Sequence, residues 1–486
     1  MDFLFVSQPR INGIPAPKEI DCSNPQQDFN IQPLGIAYLA GAVNEEKCSA
    51  AIIDASVLNK DYDWIEKKIQ EYKPKIVIGC LTAPTWKIDM ELAKHAKNNG
   101  ALFGIWGPLA GALRKVLFSK YPELNFIIEN EPEMTMKEIA KNYKKKKNIF
   151  QKVKGISYRN KQGKIIWNRY RKLEKNLDSL PMPAFELLDM NLYYTPYNRR
   201  RPMTILRTSR GCVAKCIFCI TGGQTDIYRG YGAVWRSYSP ERVLKEIELV
   251  VKKYGIKEIN FFDAEFTIDK KRVIGICKGI IDRKIDVLWN CNARADMVNE
   301  ECLKWMKKAG CYGISYGVES IDEKVTKICK KNINPEQVEN AIILTKKAGI
   351  QPALYFMIGL PGETIETARK TIDFAKKMAI KYDLRPQCTI ATPYPGTVFH
   401  EMAEKEKWFK EDIEKLEQTT ASICYPNLTQ KQLEELHREF YKKVVLNPIR
   451  LIKRILRIRH WNEIKSLPIH AREFLRGLLT EMKYLR

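Results

Sequence analysis

The chain has 486 residues, with 82 lysines and arginines against 57 aspartates and glutamates, a formal net charge of +25. That length allows two or three domains, each with its own core, and 45% hydrophobic with 29% charged residues is the composition of a soluble globular protein. No apolar run reaches the ~18 residues of a membrane span, Ala101–Leu113 being the nearest.

The opening residues MDFLFVSQPR lack a basic n-region and a cleavage pattern, so no signal peptide is expected. Thirteen cysteines, an odd number scattered through the chain, argue for a reducing compartment and a cytoplasmic protein. The positive field would attract nucleic acid, anionic lipid or an acidic substrate, and does not choose among them.

Over residues 1–145 short apolar runs alternate with helical patterns. Phe3–Val6, Ala50–Asp54, Ile76–Leu81, Leu102–Trp106 and Phe126–Ile128 read as buried strands. Leu34–Val43, Trp64–Tyr72, Met90–Lys97, Leu109–Phe118 and Met134–Asn142 read as helices. This alternation predicts an α/β, doubly wound, Rossmann-like parallel sheet with ligands at the carboxyl ends of its strands. No G-x-G-x-x-G follows the first strand, which weakens a dinucleotide reading.

Residues 146–200 read as a connector. Gly155–Arg159 and Lys164–Trp167 form a predicted hairpin across Asn160–Gly163, followed by a proline-stiffened linker over Leu177–Phe185. Residues 201–410 resume the alternation, with strands expected at Thr204–Arg207, Glu258–Phe262, Val287–Cys291, Gly313–Tyr316, Ala353–Ile358 and Gln387–Ala391. Helical patterns separate them at Pro240–Tyr254, Ile268–Ile281, Glu300–Ala309, Pro335–Ala348 and Thr364–Met378. In parallel barrels the chemistry sits on loops after the strands. Every special residue of this region falls there.

The first of those loops carries RTSRGCVAKCIFCITGG, Arg207–Gly223, with Cys212, Cys216 and Cys219 spaced C-x3-C-x2-C. Thiolate is a soft ligand suited to zinc or iron–sulfur centres. Structural zinc wants four ligands, and no fourth Cys or His lies nearby in sequence. A cubane held by three cysteines leaves one iron open for chemistry. The remaining cysteines, Cys291 among them, show no C-x2-C pairing and read as buried inert thiols.

This spacing, with Phe218 before the last cysteine, resembles the signature of radical S-adenosylmethionine (SAM) enzymes. The resemblance implies a partial (β/α)6 barrel over about Met203–His400. It also implies a [4Fe-4S] cluster on Cys212, Cys216 and Cys219 whose open iron chelates SAM and whose electron cleaves it to a 5′-deoxyadenosyl radical. Candidate SAM contacts are Asp263, Glu265, Asn292, Arg294, Glu319, Gly359 and Pro361. Arg294 suits the methionyl carboxylate, Asp263 and Glu265 the ammonium, Glu319 the ribose, and Gly359-Leu-Pro-Gly362 the adenine. Structural readings stand beside these: an ion pair for Arg294 and Glu319, and helix capping for Asp263 and Glu265. No side chain is singled out as catalytic.

Residues 1–145 resemble the cobalamin-binding domain that precedes many radical SAM cores. Pro33–Ala40, Leu81-Thr-Ala-Pro-Thr85 and Gly104-Ile-Trp-Gly-Pro108 carry the likeness, which implies cobalamin near Thr82, Gly104, Gly107 and Pro108. The chain departs from the family at Trp106-Gly-Pro-Leu109, where Gly-Gly-Pro-His is frequent, and at Asn130-Glu-Pro-Glu133, where Gly-Glu-Gly-Glu is frequent. There is no D-x-H-x-x-G, and His95 sits mid-helix, so cobalamin would be held without a histidine ligand. A domain that has lost its cofactor is the alternative.

Residues 411–486 form a basic helical region. Leu428–Val445 reads as a helix, and Asn447–Arg486 carries ten lysines and arginines against three glutamates. A basic amphipathic helix can lie on an anionic bilayer, giving peripheral contact at the membrane inner face; packing on the barrel is the plainer reading. Nucleic-acid binding is not expected, since no recognisable module accompanies the charge.

The resulting expectation is a cobalamin-dependent radical SAM methyltransferase that C-methylates an unactivated carbon of a small-molecule or lipid-like substrate. It would draw electrons from a donor such as flavodoxin or ferredoxin. Radical cyclisation or carbon–carbon bond formation is the alternative chemistry, and a non-catalytic iron–sulfur binding or electron-transfer protein the alternative class.

Overall fold

The computed structural model describes residues 1–10, 30–82, 85–195, 198–222, 230–384, 386–411, 416, 418 and 420–447. Residues 448–486, which hold nearly all of the expected basic tail, lie outside the described residues, as do Ala83, Pro84 and Gly223.

The first sheet has seven strands. These are β1 (Phe3–Ser7), β2 (Ala50–Asp54), β3 (Ile76–Cys80), β4 (Leu102–Trp106), β5 (Phe126–Ile128), β6 (Ile156–Arg159) and β7 (Ile165–Trp167), in the order β2-β1-β3-β4-β5-β6-β7. The first five run parallel. β1, β3 and β5 are buried at every position, as parallel strands covered on both faces must be. The order reverses between β1 and β3, which places a topological switch point at their carboxyl ends. The expected connector hairpin joins this sheet: β6 pairs antiparallel with β5, and β7 with β6. Its turn closes through Asn160, which both donates to and accepts from its neighbours, and Gly163 at φ 78°.

The second sheet is an open half-barrel. After β8 (Met203–Leu206) comes a short antiparallel ribbon, β9 (Ser209–Arg210) with β10 (Arg236–Ser237). Then follow β11 (Glu258–Phe261), β12 (Leu288–Ala293), β13 (Cys311–Glu319), β14 (Gln351–Ile358) and β15 (Gln387–Ile390). Six of these form one parallel sheet ordered β15-β14-β13-β12-β11-β8.

The helices between them begin at side-chain caps. Ser239 accepts from Arg242 N at 3.1 Å and Asp269 from Arg272 N at 3.0 Å, while Asn334 and Thr364 form reciprocal capping boxes. Helix Pro240–Tyr254 buries Val243, Leu244, Ile247 and Val250 on one face and stops at Gly255, φ 67°. A helix not expected from the sequence, Glu323–Ile328, follows β13. The expected Leu428–Val445 helix begins at Gln430 and ends in a π turn over Tyr441–Val445.

Helix Leu34–Glu45 joins the two sheets. It is buried from Leu34 to Val43, and Leu34, Ala37 and Tyr38 belong to the same apolar cluster as β8, β11 and β12. Ala184 N donates to Ala37 O at 2.9 Å. A Cβ on Gly41 would stand 1.9 Å from Met182 O, so this contact demands glycine. Gln32 Nε2 donates to Ile205 O at 2.8 Å, and Tyr38 Oη to Glu246 at 3.3 Å.

Candidate active site

The three cysteines sit on the loop leaving β9, at the carboxyl end of the half-barrel. Cys216 is buried; Cys212 and Cys219 are partly exposed. Gly211 makes the entry possible: its φ is 78°, and a Cβ there would lie 2.0 Å from Val234 O. A Cβ on Gly222 would lie 2.5 Å from Cys216 O, so the loop closes on itself tightly. The loop also docks on the turn after helix Glu323–Ile328. Ile217 N donates to Cys329 O at 3.2 Å, and the Cys216 thiol faces Lys330 O at 3.9 Å.

Among the described residues, no three or more His, Cys, Asp or Glu side chains gather to hold a single metal ion. A cubane asks for a different arrangement, since each thiolate takes its own iron. The donor set is all sulfur, the loop backbone is glycine-wrapped, and two cations stand by. These residues fit a three-thiolate iron–sulfur cluster. Burial pushes the Cys216 thiol up to about 11, against the pull of Lys331 and Arg294. Burial likewise raises Cys212, opposed by the Ala214 N–H, which donates to its sulfur at 3.4 Å. Metal coordination would overcome these shifts, because a ligating thiol is deprotonated outright.

The expected SAM contacts surround this loop, but several are already engaged. Asp263, after β11, is buried. Its carboxylate accepts from Thr208 N at 3.1 Å, Thr208 Oγ1 at 3.0 Å and Ser209 Oγ. It therefore braces the chain between β8 and β9. Glu265 is also buried and accepts from Thr267 N at 2.7 Å and from Arg294 N. Burial pushes its carboxyl up to about 7. Asn292 donates to Asp263 O at 3.4 Å.

Arg294 forms a bidentate pair with Asp296, both contacts 3.0 Å, and donates to Lys331 O at 2.9 Å. Glu319, at φ 66°, accepts from Lys331 Nζ at 3.2 Å. Gly359, at φ 91°, donates to Glu363 at 2.5 Å and accepts from Tyr425 Oη at 2.7 Å. Pro361 lies in the turn that this pair of contacts holds.

At the first sheet the cobalamin candidates divide. Thr82 and Gly107 lie on the loops after β3 and β4. Thr82 N donates to Asp89 at 2.9 Å and its hydroxyl pairs with Thr85. A Cβ on Gly107 would stand 2.0 Å from Leu81 O, which brings the two loops into contact. Pro108 follows, partly exposed. Gly104 is within β4, and the Phe126 ring fills its place at 2.1 Å from a built Cβ. That glycine serves packing at this position. Asn130, after β5, has φ 67°, and both polar atoms of its buried amide lack a partner. It stands at the edge where a ligand of this sheet would lie. His95 is occupied by Glu66 at 3.0 Å and stacks on Tyr62, as a helix-face histidine would.

Three relationships were not foreseen. Lys331 is a buried cation beside Glu319 and the cysteine loop; its one sequence signal is a lysine pair just before the Asn334-Pro335 helix start. Arg210, two residues before Cys212, forms a buried ion pair with Glu133 across the sheets. Arg236 donates to Glu131 at 2.9 Å. The Asn130-Glu-Pro-Glu133 segment thus grips the ribbon that leads into the cysteine loop.

Comparison with known proteins agrees with this geometry. Residues 206–375 match the family model described as the radical SAM superfamily. An uncharacterized methyltransferase of Pyrococcus horikoshii is 34% identical over 87% of this chain and 90% of its own length. The anaerobic magnesium-protoporphyrin IX monomethyl ester cyclase of Rubrivivax gelatinosus is 28% identical over 86% of this chain and 74% of its own. Among solved structures, the cobalamin-dependent SAM radical enzyme OxsB, with aqua-cobalamin and SAM bound, superimposes with a TM-score of 0.72. It is 19% identical, and the match covers 99% of this chain and 72% of that one. The radical SAM methyltransferase TsrM of Kitasatospora setae has a TM-score of 0.65 at 14% identity, covering 83% and 76%. With the half-barrel, the three-cysteine loop at its carboxyl end and a relative matched over 90% of its own length, the chain belongs to the radical SAM superfamily.

Proposed function

We propose that this enzyme is a cobalamin-dependent radical SAM methyltransferase acting on an unactivated carbon of a small-molecule substrate. The observation that carries the reading is the seating of the Cys212–Cys219 loop: it leaves a ribbon held by the first sheet's own Glu131 and Glu133. A cofactor at the carboxyl edge of that sheet and a cluster on the loop would then be braced through the same segment. The relative named a methyltransferase and the fold shared with OxsB and TsrM support it.

Residues 1–145 are proposed as the cobalamin domain, with 146–200 the hairpin and linker, 201–410 the radical core and 411–486 a basic helical region. Cys212, Cys216 and Cys219 would hold a [4Fe-4S] cluster. When bound, that cluster supplies the electron, drawn from a flavodoxin or ferredoxin, that cleaves SAM to methionine and a 5′-deoxyadenosyl radical. Cobalamin, when bound, supplies the methyl group. Glu265 and Asn292 would line the approach to the loop, and Arg294 its rim. Thr82, Gly107 and Pro108 would face the corrin.

The test is anaerobic reconstitution with iron, sulfide and hydroxocobalamin, followed by visible absorbance, reduction of the cobalamin to its Co(I) state with a low-potential reductant such as titanium(III) citrate, and incubation with methyl-labelled SAM. The reading predicts one cobalamin per chain and label in the bound cofactor. A chain that takes up iron but no cobalamin would remove the methyl-transfer reading. The cyclase relative favours one alternative, radical ring closure, which would yield product without label. Contact with a membrane surface through residues 447–486 is tested by co-sedimentation with anionic vesicles against a chain ending at Val445. Equal binding by the two chains would reject it.

A further inference from the structure

We propose that Lys331 is a positioning residue that sets the reduction potential of the cluster held by Cys212, Cys216 and Cys219. The inference rests on the assignment of those cysteines as cluster ligands. Lys331 is only 8% exposed, so its charge is little screened by solvent. It is carried on the turn that receives the cysteine loop: Cys216 faces the carbonyl of Lys330, and Ile217 N binds the carbonyl of Cys329.

Three features fix the ammonium in place. Lys330 and Asn332, on either side, both have positive φ, 54° and 51°, which turns the chain sharply around Lys331. Arg294 donates to Lys331 O at 2.9 Å from the neighbouring loop, and Lys331 N donates to Thr326 O at 2.9 Å. Lys331 Nζ reaches Glu319 at 3.2 Å over Gly317, where a Cβ would crowd it at 3.0 Å. The absence of a side chain at Gly317 leaves room for the lysine.

A buried lysine paired with one glutamate adds no net charge, so the pair's effect depends on which partner stands nearer the cluster. Lys331 is the partner on the turn that touches Cys216. The hydrogen bonds that seat the cysteine loop on this turn run to Cys329 O and Lys330 O, the residues next to Lys331, whereas Glu319 stands at the end of β13. A cation beside the ligand stabilises the cluster once it has accepted its electron.

The test is a redox titration, followed by electron paramagnetic resonance, of the reconstituted full-length protein without SAM. The dithionite-poised wild type is compared with Lys331→Met, Lys331→Arg and Glu319→Gln, each with its iron content measured. Lys331→Met should lower the reduced-to-oxidised ratio at fixed potential about tenfold, ~59 mV for a one-electron couple. Lys331→Arg should retain the wild-type midpoint, and Glu319→Gln should shift it the opposite way. An unchanged midpoint in Lys331→Met at full iron content would overturn the inference, as would weakened SAM binding as its sole effect. If Lys331→Met does not assemble a cluster, an unmoved midpoint in Glu319→Gln decides against it. A wild type that takes up no iron through the cysteines would instead overturn the cluster assignment.

Discussion

Arg210 and Glu133 form a buried ion pair that ties the ribbon ahead of Cys212 to the helix following β5 of the first sheet. The arginine is 8% exposed and the glutamate 1%, and the Arg210 guanidinium also lies 5.5 Å from the Tyr38 ring. The pair therefore stands where the two sheets meet, and each half is desolvated by the other's domain.

Removing one member of such a pair leaves an unpaired buried charge. Glu133→Ala is expected to destabilise the protein by about 3–5 kcal/mol in urea unfolding, and the double variant Arg210→Met/Glu133→Leu by much less. Equal losses in the two would show that the charge itself contributes nothing.

Asp263 is expected to act on the cluster through the chain. Its carboxylate receives Thr208 N, Thr208 Oγ1 and Ser209 Oγ, three donors that an amide cannot all satisfy. Asp263→Asn should cost about 1–3 kcal/mol and reduce iron uptake. The control Asp269→Asn, at a helix cap, should leave iron uptake at the wild-type level. Iron binding unaltered by Asp263→Asn would separate this carboxylate from the loop.

Glu363 makes a pH signature. It is 1% exposed, and burial pushes its carboxyl from 4.5 up to about 8, with the Gly359 N–H pulling back. The folded chain thus keeps a proton that the unfolded chain releases near pH 4.5. Stability should fall as pH rises from 4.5 to 8, by up to about 1.4 kcal/mol per unit. Glu363→Gln should flatten this part of the profile in denaturant midpoints of the metal-free protein. Parallel profiles for variant and wild type would contradict the assignment.

Asn130 stores strain at the edge of the first sheet. It combines φ 67° with a buried amide whose polar atoms have no partner. Asn130→Gly should stabilise the cofactor-free protein by about 1 kcal/mol. If the melting temperature falls instead, the amide has a partner in solution.

Much of this architecture is legible in the sequence because its strands are buried on both faces and read as short apolar runs. β2, β4 and β5 begin and end where the apolar runs do, and the half-barrel follows the alternation from Met203 to Ile390. Cys212, Cys216 and Cys219 are legible because their ligand spacing is local. What the sequence did not reveal is non-local. Glu133 meets Arg210 across 77 residues, and Lys331 meets Glu319 only because two left-handed residues fold the turn back. Motif position is also blind to occupancy. Asp263 and Arg294 stand at the strand ends where a ligand would be contacted, yet Thr208, Ser209 and Asp296 already hold their charged groups. The hairpin β6–β7 is legible as a hairpin but falls in the connector, because its pairing with β5 depends on strand order, which spacing does not encode.

The most direct test of the site is reductive cleavage of SAM by the anaerobically reconstituted protein under dithionite, with 5′-deoxyadenosine quantified. Wild type should form it, and Cys216→Ala should lose both the cluster absorbance and the product. A fully reduced cluster that yields no 5′-deoxyadenosine, or a Cys216→Ala variant that still cleaves SAM, would contradict the assignment of this loop as the radical-generating centre.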